Sequence, residues 1–302
     1  MIGEERLHEV VSYYLEHGDF ATIAKFNIKY QSLLRYINLA KQRSHRRPKI
    51  LFFDIEISPI LAYTFSTYKP IISDEQIVKD WYIICWAAKW FDNEEVIYSC
   101  VSSEEAQQWD DRRVVAELHK LLSEADVVIG HNAKKFDIKK LNAKALIHSL
   151  PPLKPFQIFD TLEAVRKVFG FTKNNLNFLA QIIANDEKIA TNFALWKDCV
   201  AGKEDALNNM LSYCIHDTLL LEMVYHKIKP YVKSHPNLAI LQDAVEPCCT
   251  ICGSYNIEPE SFKFTAAHAY PTYRCTDCGA VSVSRTNATK LIIRQKSLKP
   301  NS

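Results

Sequence analysis

Asp54 and Glu56 stand two residues apart at the end of an apolar run, Ile50 to Phe53. Such a run reads as a buried strand. Side chains alternate across a strand, so both carboxylates emerge on one side, about 7 Å apart along it. Two carboxylates there repel each other and cost free energy to desolvate, unless a cation sits between them. Hard divalent ions such as Mg²⁺ or Mn²⁺ favour oxygen ligands of this kind. Two further acidic positions extend the pattern. Asp137 closes His131-Asn-Ala-Lys-Lys-Phe-Asp137, which follows a second apolar run, Val127 to Gly130, and so falls where a helix begins. Tyr213 and Asp217 are four apart in Tyr213-Cys-Ile-His-Asp217, hence on one helical face.

A second constellation lies near the C-terminus. Cys249-Thr-Ile-Cys252-Gly253 and Cys275-Thr-Asp-Cys278-Gly279 are two Cys-x₂-Cys-Gly knuckles. Four thiolates at this spacing form a closed tetrahedral Zn²⁺ site with no open position, so one structural zinc is expected, in a zinc ribbon over 247–286. Cys248 is spare, and His268 is an unneeded additional ligand. Arg274, Arg285, Lys290, Arg294, Lys296 and Lys299 favour nucleic acid as the ribbon's partner, with protein docking as the alternative. Residues 287–302 read as a basic tail.

The elements that must position these groups follow from periodicity. Residues 81–91 and 95–101 read as strands joined by Asp92-Asn93-Glu94, helices fit 112–124 and 138–148, and 156–159 is another buried strand. Asp160-Thr-Leu-Glu163 has the form of a capping box opening a helix, which gives Asp160 a structural role. Residues 203–229 read as a long helix ending before Pro230. Strands alternating with helices predict an α/β sheet, here preceded by antiparallel strands. The aromatic segment 59–80, with Tyr63, Phe65 and Tyr68, is expected to pack over that sheet. Ahead of it, 4–17 reads as a helix closed by Gly18, and the stretch to Ile37 as two short helices turning at Asn27. This is the form of a helix-turn-helix domain over 1–40, whose second helix would offer Lys29, Gln31 and Arg35 to duplex DNA, a plain helical hairpin being the alternative. Residues 41–48 are a basic linker.

Taken together, Asp54-x-Glu56, then Asp137, then Tyr213 with Asp217 resemble the DEDD superfamily of 3′→5′ exonucleases, which includes the proofreading domains of DNA polymerases. The histidine variant of that superfamily needs His five residues before the last Asp, where this chain has Ser212. The tyrosine variant needs Tyr four before it, which is Tyr213, so the resemblance is to the tyrosine branch. It spans about 49–235 and implies a ribonuclease-H-like mixed sheet flanked by helices. It also implies two Mg²⁺ or Mn²⁺ ions held by Asp54, Glu56, Asp137 and Asp217, with Asp54 bridging both and Tyr213 orienting the attacking water. Two such ions about 4 Å apart activate water and stabilise the leaving oxygen. The implied reaction is stepwise release of nucleoside 5′-monophosphates from the 3′ end of single-stranded nucleic acid, DNA being favoured. RNA as the chief substrate, a proofreading subunit beside a separate polymerase or other replication and repair protein, and an inactive DNA-binding regulator are the rival readings. Asn132, Lys134 and Lys135, beside Asp137, are candidates for contacting the strand; Asn132 could equally serve the turn.

Composition agrees with this and excludes other classes. The 302 residues are 48% hydrophobic, enough for a real core, and carry a net charge of +2. That charge is uneven: residues 1–48 hold eight Lys or Arg against five Asp or Glu, 247–302 hold seven against three, and the centre is acidic. Basic ends around an acidic centre suit a nuclease with accessory nucleic-acid-binding parts. No apolar run approaches the roughly 18 residues of a membrane span. The N-terminal residues lack the features of a secretion signal. A cytoplasmic or nucleoid-associated protein is expected, with its cysteines reduced.

Overall fold

A computed structural model describes residues 4–44, 47–66, 68, 71–186, 189–242 and 247–288. The predicted tail positions Lys290, Arg294, Lys296 and Lys299 lie outside the described residues.

Five strands form the central sheet: β1 (Ile50–Ile57), β2 (Ile83–Trp90), β3 (Val96–Cys100), β4 (Val127–Gly130) and β5 (Gln157–Asp160). Their order is β3-β2-β1-β4-β5. β1 and β3 lie antiparallel to β2, while β1–β4 and β4–β5 are parallel. The mixed sheet predicted from the strand pattern is therefore present, with β1 at its centre and the three antiparallel strands first in the chain. Helices cover both faces, as in a ribonuclease-H-like fold. Alternation along β1 divides its side chains. Phe52 joins Leu220, Val224 and Tyr225 of the long helix α6 (Glu204–Ile228) on one side. Leu51, Phe53 and Ile55 join Leu118, Leu122 and Leu141 on the other, from α3 (Arg112–Leu122) and α4 (Asp137–Ile147). α5 (Thr161–Val168) starts directly from β5, where the Asp160 carboxylate caps it by accepting from the N–H groups of Leu162 and Glu163 at 3.1 and 3.2 Å.

At the N-terminus, α1 (Glu4–Phe26) is kinked at Gly18, whose φ of 76° takes the glycine outside helical geometry. Asn27, at φ 49°, turns the chain into α2 (Tyr30–Ser44), and Val10, Leu33 and Ile37 form the core of this small helical unit. The helix runs on to Ser44, into the stretch read as linker. Lys, Gln and Arg are good helix formers, so their charge did not end it. Lys29, Gln31 and Arg35 are exposed.

The segment after β1 corrects an expectation. Tyr63 and Tyr68 are 77% and 79% exposed and do not pack over the sheet. Only a short antiparallel pairing, Leu61–Ala62 with Ile77–Lys79, orders this arm. Among the described residues, no helix is long and apolar enough to cross a membrane.

Three antiparallel strands, β6 (Ile257–Phe264), β7 (Ala269–Cys275) and β8 (Val281–Val283), form the C-terminal module. It is joined to the preceding domain by the Leu238 N–H, which donates to the Thr250 carbonyl at 2.9 Å, and by Gln242 Nε2, which donates to the Gly253 carbonyl at 2.9 Å.

Candidate active site

β1 and α6 between them bring three of the predicted carboxylates together. One oxygen from each of Asp54, Glu56 and Asp217 lies within 4.8 Å of the others. Asp54 and Glu56 share a face because they are two apart on an extended strand. Asp217 reaches them because α6 packs along that face, one turn beyond Tyr213. Asp217 is 1% exposed and Tyr213 is buried beside it on the helix. Like charges at such spacing repel unless a cation or a shared proton relieves them. An all-oxygen donor set of this kind fits a hard divalent cation.

Asp137 does not belong to that tight trio. It sits at the first position of α4, 3% exposed. Burial pushes its carboxyl up to about 7, and nearby Asp160 adds to the rise, while backbone hydrogen bonds from Ile55 and its own residue oppose it. Contact with the Ile55 backbone puts Asp137 alongside β1, next to the residue that stands between Asp54 and Glu56 in sequence. Its position depends on a tight corner. A Cβ on Gly130 would lie 2.5 Å from the Ala133 Cβ, so only glycine lets the loop fold back there.

Asp160 has a larger part than its capping role suggested. Besides capping α5, its carboxylate accepts from the N–H groups of Asn132 and Lys134 at 3.0 and 3.1 Å, fixing the loop that leads to Asp137. Asn132 takes φ 70°, in keeping with the turn reading. Lys134 is held by Glu163 at 2.6 Å, and Lys135 is exposed. Lys144, further along α4, is buried and paired with Asp111 at 3.4 Å. One neighbour had no sequence signal at all. The Cys214 thiol donates to the Asp54 carbonyl at 3.5 Å. Burial, aided by the charges of Asp54, Glu56 and Asp217, pushes that thiol up to about 12, so it remains a neutral donor under the trio.

Residues 80–233, just over half of the chain, match the family described as 3′–5′ exonuclease. The chain belongs to the 3′–5′ exonuclease family. The family match opens after β1, so it contains Asp137, Tyr213 and Asp217, and the fold supplies Asp54 and Glu56. A structure of the family B DNA polymerase from the hyperthermophilic archaeon Pyrobaculum calidifontis is similar at 14% identity and TM-score 0.46, over 74% of this chain and 32% of that one. This exonuclease-family chain therefore spans about a third of the polymerase's length. No curated protein matches it.

The second predicted centre is also assembled. The sulfurs of Cys249, Cys252, Cys275 and Cys278 all lie within 4.8 Å of one another, with Cys249–Cys278 and Cys252–Cys275 at 3.6 Å. A tetrahedron with Zn–S bonds of about 2.3 Å has edges of about 3.8 Å, so the four thiols fit a zinc ion. Cys248 stays outside, accepting from Gln242 at 3.2 Å, and His268 bonds Asn287 at 2.9 Å away from the cluster. Arg274 is occupied within the module, paired with Glu260 and donating to the Gly279 carbonyl at 2.9 Å.

Proposed function

We propose that this chain is a metal-dependent 3′→5′ exonuclease of the tyrosine branch, removing nucleoside 5′-monophosphates from single-stranded nucleic acid, with DNA as the favoured substrate. The observation that carries this reading is the trio of Asp54, Glu56 and Asp217, within 4.8 Å, in a member of the 3′–5′ exonuclease family. A pair of Mg²⁺ or Mn²⁺ ions would supply a water of lowered pKa and a clamp on the leaving oxygen.

The chain's own residues do the rest. Asp54, Glu56 and Asp217 would hold the ions, with Asp54 shared between them, and Asp137 would assist directly or through water. The Tyr213 hydroxyl, one helical turn from Asp217, orients the water that attacks the terminal phosphodiester. Asp217 is buried while Asp54 and Glu56 are partly exposed, so the cluster has a closed floor and a side open to substrate and water. In the C-terminal module the four cysteines hold one structural Zn²⁺. The basic N-terminal helices give duplex DNA a surface at Lys29, Gln31 and Arg35, and Asn132, Lys134 and Lys135 border the path of the single strand. A polymerase or other replication or repair protein is the partner class that this activity would serve.

Single strands of DNA and RNA labelled at the 5′ end, incubated with Mg²⁺ or Mn²⁺ and with EDTA, test the proposal. A ladder shrinking from the 3′ end, absent with EDTA and with Asp54→Ala, is expected, and the two substrates then rank themselves. Strands that stay intact while the protein still shifts them on a gel would make the chain a binding module instead.

A further inference from the structure

Three thiols outside the zinc-type cluster meet behind the carboxylate trio. Cys85 on β2 is fully buried, with the thiols of Cys100 on β3 and Cys214 on α6 as its electrostatic neighbours. The β2–β3 ladder pairs Cys85 directly with Cys100. The next pair along, Ile84 with Val101, is a hydrogen-bonded one, since the Val101 N–H donates to the Ile84 carbonyl at 2.9 Å. Antiparallel pairs alternate in type, so Cys85 and Cys100 occupy a non-hydrogen-bonded pair, where Cα atoms stand about 4.5 Å apart and the side chains converge. That spacing falls inside the roughly 4.4–6.8 Å range that a disulfide spans without backbone movement.

We propose that Cys85 and Cys100 are a reversible oxidation site, a dithiol that peroxide converts to a cross-strand disulfide within the folded chain. Cys100 is the entry point. It lies on the edge strand and is partly exposed, while Cys85 is sealed in. The Cys85 thiol and the nearby Arg113 guanidinium both hold the Cys100 thiol below its ordinary value, which favours the nucleophilic thiolate. Arg113 is fixed there by its bond to the Cys100 carbonyl at 2.7 Å. The Cys100 sulfur attacks one oxygen of hydrogen peroxide, giving a sulfenic acid and one water. The Cys85 sulfur then attacks the Cys100 sulfur, the S–O bond breaks, and the hydroxyl leaves with the Cys85 proton as a second water. Two thiols lose two electrons in all, and the peroxide is reduced by the same two. The β1–β2 ladder sets Glu56 opposite Cys85, so the new bond forms one strand away from a carboxylate of the candidate cation site.

The test uses the full folded chain treated with hydrogen peroxide, quenched, alkylated in denaturant without reductant, and digested with trypsin. Cys85 falls in the peptide 80–89 and Cys100 in 90–112. We expect these two peptides to appear linked, their alkylated forms to decline in step, and both to return after dithiothreitol. Cys214→Ser should leave the link intact, and Cys100→Ser should leave Cys85 fully alkylatable after the same exposure, with far-UV circular dichroism verifying that each variant is folded. An exposed-thiol peptide added to the reaction verifies oxidation. Recovery of 80–89 and 90–112 as separate alkylated peptides while that standard oxidises, or a Cys85–Cys214 link in place of the Cys85–Cys100 one, would overturn the proposal.

Discussion

Asp54 and Asp217 reach the same small volume from different backbones, one from a strand and one from a helix, and their mutual repulsion has a measurable cost. Asp217→Asn keeps the shape and removes one of three crowded charges. It should abolish cleavage and yet raise stability by about 1 kcal/mol in EDTA, because a strained functional site trades stability for activity. Denaturant melts with and without Mg²⁺ check this: the wild type should gain from the ion and the variant should not. Tyr213→Phe keeps the buried ring and loses the hydroxyl, so turnover should fall roughly 10- to 100-fold with cation binding spared. Equal losses in both would make the hydroxyl a ligand support and not a water-orienting group. At the corner before Asp137, Gly130→Ala forces a Cβ against Ala133 and should destabilise by about 1–3 kcal/mol. The shared faces of Asp54 with Glu56 and of Tyr213 with Asp217 were legible because periods of two and of four residues decide which side chains share a face. Cys214 and the second duty of Asp160 were not, because both depend on which elements pack together. The sequence order also could not tell that Asp137 stands outside the trio, since that follows from how the loop after Gly130 folds against Ile55.

At the level of elements, α6 is the member on which most depends. Its middle carries Tyr213, Cys214 and Asp217, and its last turns carry Tyr225 into a buried contact with His235. The Tyr225 hydroxyl and His235 Nε2 lie 2.8 Å apart, and His235 Nδ1 meets the Pro236 carbonyl at 2.7 Å. Burial lowers His235 to about 4, whereas the unfolded residue binds its proton at about 6.5. Between those values the unfolded chain holds more protons, so stability is full above the upper one and falls as pH drops toward the lower, by roughly 3 kcal/mol in total. Denaturant midpoints across that window should slope for the wild type and lose about that much of their slope in His235→Gln. An equal slope in both would assign the acid sensitivity elsewhere. Most elements were readable from apolar period and length, which fixed β2, β4 and α6 to within two residues. The arm after β1 was not. Tyr63, Phe65 and Tyr68 signal aromatic content but carry no periodicity that would say whether they face the sheet or the solvent.

Across the whole molecule, the C-terminal module is small and its core is centred on Cys249, Ile251, Cys275 and Ala280, so a bound ion is its natural staple. Elemental analysis should find one zinc per chain, lost in Cys252→Ala, and chelation should unfold the module before the sheet domain. Truncation after residue 246 should weaken the affinity for single strands more than it slows turnover; unchanged affinity would make the module a protein-docking part. The uneven charge along the chain hinted at such accessory ends, but only folding reveals that Arg274 is spent inside the module and Lys144 inside the core.

The placement of the carboxylates also sets an order of events during synthesis. Asp54 and Glu56 leave the ribosome early, on a strand that can pair at once with β2. Asp217 follows more than half a chain later, on the last long helix. At about 5–20 residues per second, the nascent chain carries an incomplete cluster for roughly 8 to 30 seconds. On the proposed reading, the carboxylate cluster is completed only when translation of the 49–235 segment is nearly finished.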